Sequence, residues 1–275
     1  MSVTSAGRLV DAYDLVILDL DGVVFLIDRP IPGAVETVGR LRAGGVPVMF
    51  ATNNASRRAG EVADLLSGMG VAASAAEVLT SAGAAAATLA GRFPADSPVL
   101  VVGAEALRDE VREAGLRLVE GADDKPVAVV QGYGPEVGWR QLAEASLAIR
   151  AGALWVATNT DRTLPSPRGP LPGNGSLVSV IATALDRKPD LVIGKPEPGL
   201  FETAARLTGA QRPLVVGDRL DTDIAGARRA GVDSLLVLTG VSSRADVEQT
   251  APELRPTHIA DDLTALFAVT SSAER

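Results

Sequence analysis

Short runs of Val, Ile and Leu with no polar alternation recur along the chain. They lie at 15–18, 46–50, 99–102, 127–130, 154–156, 214–216 and 235–238. A strand exposed on one face alternates apolar with polar residues, so unalternating runs of this length imply strands covered on both faces. The segments between them, 34–43, 57–69, 105–114, 139–150 and 200–208, have helical spacing and length. The Ala-rich segment 82–90 reads as a further, buried helix. Strand–helix alternation of this kind predicts an α/β fold built on a doubly wound parallel sheet.

Composition narrows the chemistry. The chain has 275 residues, of which 47% are hydrophobic, enough for a sizeable core and for one large or two ordinary domains. It has no cysteine and one histidine, His258. Thiol nucleophiles, disulfides, Cys-zinc sites and two-histidine metal sites are therefore excluded, and a Ser-His-Asp triad is disfavoured. Carboxylates, hydroxyls, amides, lysine and a hard metal ion remain. A net charge of −8 without a basic stripe argues against nucleic-acid or anionic-membrane partners. The first residues lack the pattern of a secretory signal, and no apolar run is long enough to span a bilayer. The expectation is a cytoplasmic protein.

Two features of organisation stand out. The stretch 163–175 holds four prolines and three glycines, which excludes regular helix or central strand and suggests a functional loop. Arg42-Ala43-Gly44 precedes a run ending Ala51-Thr52-Asn53, and Arg150-Ala151-Gly152 precedes one ending Ala157-Thr158-Asn159. This is one helix–Gly–strand–loop construction used twice, without proving duplication.

Four polar motifs follow predicted strands, where ligands bind in open α/β sheets. Asp19-Leu20-Asp21-Gly22 ends the first; Gly22 would let the chain turn so that Asp19 attacks while Asp21 transfers protons. The same residues also make an ordinary acidic strand-to-turn junction. Thr52-Asn53-Asn54 ends the second and offers a hydroxyl and amides suited to phosphate oxygens, although Asn54 or Ser56 would also serve as a plain helix cap. Gly194-Lys195-Pro196 places a cation at a strand end, and it is not a Walker A loop because position 189 is proline. Gly217-Asp218 through Asp223 adds further carboxylates, some of which would cap the helix 224–230. Gathering these acids in one crevice calls for a hard divalent ion with oxygen ligands, such as Mg²⁺.

The order and spacing of these four motifs resemble the haloacid-dehalogenase superfamily of phosphatases. The long interval between the helix after Thr52 and Lys195 resembles its NagD-like, 4-nitrophenylphosphatase subclass, which carries an α/β cap there. The resemblance implies a core at 1–82 and 191–275 and a cap at 83–190, with a substrate loop at about 159–175. It implies Asp19 as nucleophile and Asp21 as general acid–base. Mg²⁺ would be held by Asp19, the Asp21 carbonyl and Asp218, with Asp223 in a supporting position. Thr52, the Asn53 and Asn54 amides and Lys195 would bind the phosphoryl oxygens.

The implied activity is hydrolysis of a small phosphorylated metabolite through an aspartyl-phosphate. The motifs Ala157–Asp161, Leu164-Pro165 and Gly173–Leu177 are similar to the branch acting on glycerol 3-phosphate and 2-phosphoglycolate. Glycerol 3-phosphate is placed first, then 2-phosphoglycolate or a broad 4-nitrophenyl phosphate activity. Pyridoxal phosphatases carry histidine near Leu164, which counts against that substrate. The non-enzymatic alternative is a phosphoacceptor signalling domain, which the cap and chain length oppose. Relatives often pair through the cap, so the resemblance leaves a homodimer through the cap open and does not fix the oligomeric state. Arg57 and Arg219 are candidate local attractants for the anion; Arg162 and Arg168 in the loop could meet a carboxylate or hydroxyl, with solvent-facing arginines the favoured reading.

Overall fold

A computed structural model describes residues 7–269. Its contacts divide the chain into two compact units, one of residues 1–51, 64–77 and 201–275, the other of 52–63 and 78–200. Residues 78–82 and 191–200 thus cluster with the second unit.

In the first unit the strands run in the order His258–Ala260, Asp233–Val237, Pro213–Gly217, Leu15–Leu18, Val48–Thr52. All of these pairings are parallel, with Leu18 opposite Val216 on one side and Phe50 on the other. Leu15, Val16, Ile17 and Leu18 are completely buried. Each such side chain contributes about 1.5–3 kcal/mol relative to exposure. The second strand begins at Val48 rather than the expected Val46 for a local reason. The Val46 amide donates to Leu41 O at the end of the preceding helix, and Pro47 has no N–H to give a ladder.

The second unit holds a parallel sheet in the order Leu191–Val192, Leu154–Ala157, Ala128–Gln131, Pro98–Val102, Arg117–Val119. Val99, Val101, Ala128 and Val130 pack with Ala82, Ala86, Leu89, Leu107 and Val111 from helices Ser81–Ala90 and Glu105–Glu113. Leu100, Val102, Val129 and Trp155 pack instead with Ala145, Ile149, Val178 and Ile181 from helices Trp139–Arg150 and Asn174–Leu185. Successive residues of one strand thus enter opposite cores, which is why these strands show no alternation.

The proline-rich stretch is more ordered than its composition suggests. Thr163–Leu164 pairs antiparallel with Leu171–Pro172, and the helix Asn174–Leu185 begins inside the stretch thought unable to form helix. The last proline, Pro172, precedes that helix, so it takes no helical hydrogen bond away. No helix among the described residues is long and apolar enough to cross a membrane.

Candidate active site

The first unit gathers acids at the carboxyl ends of its strands. The Asp19 amide donates to Val216 O, continuing the ladder one residue past Leu18. The chain then reverses: the amides of Val23, Val24 and Phe25 all reach Leu20 O, and Gly22 takes a φ of +83°. One carboxylate oxygen from each of Asp19, Asp218 and Asp223 lies within 4.8 Å of the others. Asp218 and Asp223 are almost fully buried. The Asp21 side chain is not in this group; Asp21 lies on the turn and bridges to Phe25.

Backbone closes tightly around Asp218. Its Oδ2 accepts from the Val241 amide at 2.7 Å, and a Cβ at Gly240 or Gly22 would stand 1.9 or 2.5 Å from that same oxygen. The Thr239 hydroxyl donates to Gly22 O at 2.6 Å and holds the two loops together. Asp223 is tucked against Gly217, where a Cβ would meet the Asp223 Cβ at 2.1 Å, and its Oδ2 accepts from the Arg219 amide at 3.2 Å. Asp223 does not cap the helix, as some acids in this motif were expected to do. Leu220–Ile224 form a π-helical turn that runs directly into helix Ala225–Ala230. Three carboxylates in a cradle that excludes any Cβ form a donor set suited to a hard cation with oxygen ligands. Arg219 is bidentate to Asp221, at 3.1 and 2.8 Å, so its charge is engaged by its own loop.

The second unit carries the other group of expected site residues. Thr52, Asn53 and Lys195 are at most 8% exposed, which is unusual for a lysine. Lys195 follows the edge strand Leu191–Val192 and precedes a cis bond to Pro196. Its amide donates to Asn53 Oδ1 at 2.8 Å, and its carbonyl accepts from Asn53 Nδ2 at 3.0 Å. Asn53 Nδ2 also reaches the Asp161 carboxylate at 3.1 Å. The Asn54 amide donates to the Thr52 hydroxyl at 3.1 Å, while Asn54 Oδ1 accepts from the Ser56 amide and hydroxyl. Neither Asn54 nor Ser56 caps the next helix. That helix is Ala59–Gly68, and the Arg58 amide before it is held by Glu61. Arg57, Arg162 and Arg168 are exposed.

Three residues to which the sequence reading gave no individual role complete this group. Asn159 Nδ2 donates to Asn53 O at 2.7 Å and the Ser81 hydroxyl to the same atom at 2.6 Å. Asn174 in turn donates to Asn159 O at 2.7 Å. The signal for Asn159 was the Ala-Thr-Asn sequence repeated at two strand ends, 51–53 and 157–159.

Two family models match the chain: a haloacid dehalogenase-like hydrolase over residues 16–117 and a HAD-hydrolase-like model over 192–266. The chain belongs to the haloacid dehalogenase-like hydrolases and is a phosphatase of that family. It is 50% identical to the D-glycerol 3-phosphate phosphatase of Mycobacterium tuberculosis over 92% of this chain and 71% of that protein. It is 39% identical to the 5'-nucleotidase YutF of Bacillus subtilis, over 92% of this chain and 96% of that one. Among solved structures, the M. tuberculosis glycerol phosphate phosphatase in complex with magnesium superposes with a TM-score of 0.90 at 49% identity, covering 95% of this chain and 79% of that one. The 4-nitrophenylphosphatase of Thermotoga maritima gives 0.87 at 32% identity, covering 96% and 100%.

Proposed function

We infer that the protein is a Mg²⁺-dependent phosphatase of small phosphate monoesters, with glycerol 3-phosphate as its preferred substrate. The observation that carries this is the 50% identity, over nearly the whole chain, to a D-glycerol 3-phosphate phosphatase. A second structure of the M. tuberculosis glycerol phosphate phosphatase, in complex with calcium, adds support for a divalent-ion site.

In this mechanism an Asp19 carboxylate oxygen forms a bond to phosphorus as the ester P–O bond breaks. Asp21, protonated at that moment, gives its proton to the departing alkoxide. The Asp21 carboxylate then takes a proton from water, whose oxygen displaces Asp19 from the aspartyl-phosphate and releases orthophosphate. Thr52, the backbone around Asn53 and Asn54, and Lys195 bind the phosphoryl oxygens, a role that depends on positioning and charge. Asp19, the Asp21 carbonyl and Asp218 would hold Mg²⁺, with Asp223 steadying the Asp218–Arg219 turn. The ion supplies charge neutralisation at the phosphoryl oxygens. Residues 1–82 and 191–275 form the catalytic core and 83–190 the cap, whose loop at 159–175 meets the leaving group. Trp139, Leu147 and Val180 expose apolar surface in the second unit, in keeping with pairing through the cap. A cysteine-free chain acting on a phosphorylated metabolite suits the cytoplasm.

The test is phosphate release with Mg²⁺ from glycerol 3-phosphate, 2-phosphoglycolate, 4-nitrophenyl phosphate, pyridoxal 5'-phosphate and a 5'-nucleotide. The highest kcat/KM is expected for glycerol 3-phosphate, with turnover abolished in Asp19→Asn. Preference for the nucleotide would transfer the assignment to the activity named for the Bacillus relative. A stable phosphoprotein without turnover would make the chain a phosphoacceptor.

A further inference from the structure

Asn53 is one of the expected phosphoryl-binding residues, but through its main chain. Its side chain does something else. The carboxamide oxygen accepts from the Lys195 amide and the nitrogen donates to the Lys195 carbonyl, so a single planar group grips the lysine's backbone at two points. A Cβ at Gly194 would stand 2.4 Å from Asn53 Oδ1, so the residue before the lysine must be glycine for the grip to close. The same Asn53 nitrogen also reaches the carboxylate of Asp161, in the loop expected to meet the leaving group. Asp161 is itself fixed, its amide donating to Asn159 Oδ1 at 3.1 Å.

We propose that the Asn53 side chain is the positioning residue for Lys195, and that its bond to Asp161 ties the setting of that lysine to the 159–175 loop. A lysine ammonium rides on a flexible four-carbon stem, so its placement depends on how firmly its own backbone is fixed. Asn53 supplies that fixation with a neutral group whose donor is strengthened by a carboxylate acceptor. A leaving group that shifts the loop at Asp161 pulls on the same carboxamide that holds Lys195. Discrimination between esters then reaches the phosphoryl grip as well as the cap contacts. This inference rests on the assignment of Lys195 as a phosphoryl ligand.

The polarity of the Asn53–Asp161 pair provides the test. Asn53→Asp sets an acceptor against the Lys195 carbonyl and the Asp161 carboxylate. The competitive inhibition constant of orthophosphate, measured with Mg²⁺, is expected to rise about 10- to 100-fold. Asp161→Asn alone still offers an oxygen to Asn53 Nδ2, and its effect stays within about threefold. Combining the two restores a donor facing an acceptor, and the double variant recovers at least half of the loss on a logarithmic scale. Asn53→Ala, which removes the grip without adding charge, shifts the constant in the same direction as Asn53→Asp. An inhibition constant does not depend on the folded fraction, so simple destabilisation would lower total activity and leave it unchanged. An unchanged constant in both Asn53 variants, or a double variant no better than Asn53→Asp, overturns the proposal. Wild-type turnover and its loss in Asp19→Asn separately decide the phosphatase assignment, so the two failures are distinguishable.

Discussion

At the scale of single residues, the acidic cluster owes its shape to glycines as much as to aspartates. Gly240 and Gly22 let backbone pass against Asp218 Oδ2 where any side chain would collide. Gly240→Ala must move either its own loop or the Asp218 carboxylate. A displacement of about 1 Å at a reacting centre costs roughly 100-fold in rate. A loss of that order in kcat/KM at saturating Mg²⁺ is expected, with little change in the urea midpoint; unchanged kcat/KM would show that the cradle is looser than its geometry implies. Asp19 follows an apolar run directly, and Asp218 and Lys195 each follow one after a single glycine, which is what marked all three as candidates. The bond from Asn53 to Asp161 was not, since a hydrogen bond between residues 108 apart leaves no local pattern.

At the scale of elements, the long apolar runs were the easiest to read. Leu15–Leu18 matches its run residue for residue, and helices Ala34–Ala43 and Trp139–Arg150 begin and end where their spacing predicts. The strands Arg117–Val119, Val78–Thr80 and His258–Ala260 are too short to stand out from loops, and only pairing defines them. The helix–Gly–strand–loop echo was real as construction. Gly44 ends one helix and Gly152 follows the other with a φ of +106°, and the asparagines after the two strands meet through Asn159 and Asn53. Ile181 is fully buried between helix and sheet in the second unit, so Ile181→Ala should lower unfolding free energy by about 2–5 kcal/mol in urea titrations.

The edge strand His258–Ala260 gives a pH-dependent stability. His258 bonds through Nε2 to the Tyr13 hydroxyl at 2.8 Å, and that hydroxyl donates to Asp233 at 3.0 Å. Burial holds the imidazole below its ordinary value, only partly opposed by the Asp233 carboxylate. The folded state therefore favours neutral histidine. This contribution is present above the unfolded value, about 6.5, and is lost as pH falls from there through the folded value. Wild type should lose more stability than His258→Gln between about pH 7.5 and pH 5. Parallel urea midpoints for the two proteins would remove His258 as the source.

At the scale of the whole molecule, the class of fold was legible and the partition was less so. The unit boundaries fall at 51/52, 63/64, 77/78 and 200/201, so the chain passes between units repeatedly and no composition shift marks the crossings. A cluster of carboxylates built for a cation should also register in global stability. Chelation is expected to abolish phosphate release reversibly, and Mg²⁺ at 100 times its Kd should stabilise the protein by about 2.7 kcal/mol. A melting temperature indifferent to Mg²⁺ would show that Asp19 and Asp218 do not bind it.

The strand that carries Asp19 has a further consequence, in how the protein is made. Leu15–Leu18 lies between Val48–Thr52, translated soon after it, and Pro213–Gly217, which leaves the ribosome roughly 200 residues later. At about 5–20 residues per second, one edge of this wholly apolar segment waits some 10–40 s for its neighbour. During that interval the nascent chain displays an open, aggregation-prone ladder beside Asp19. A ribosome-associated chaperone would find its natural client there, and slowed translation between the two strands should lower the soluble yield far more than the stability of the finished enzyme.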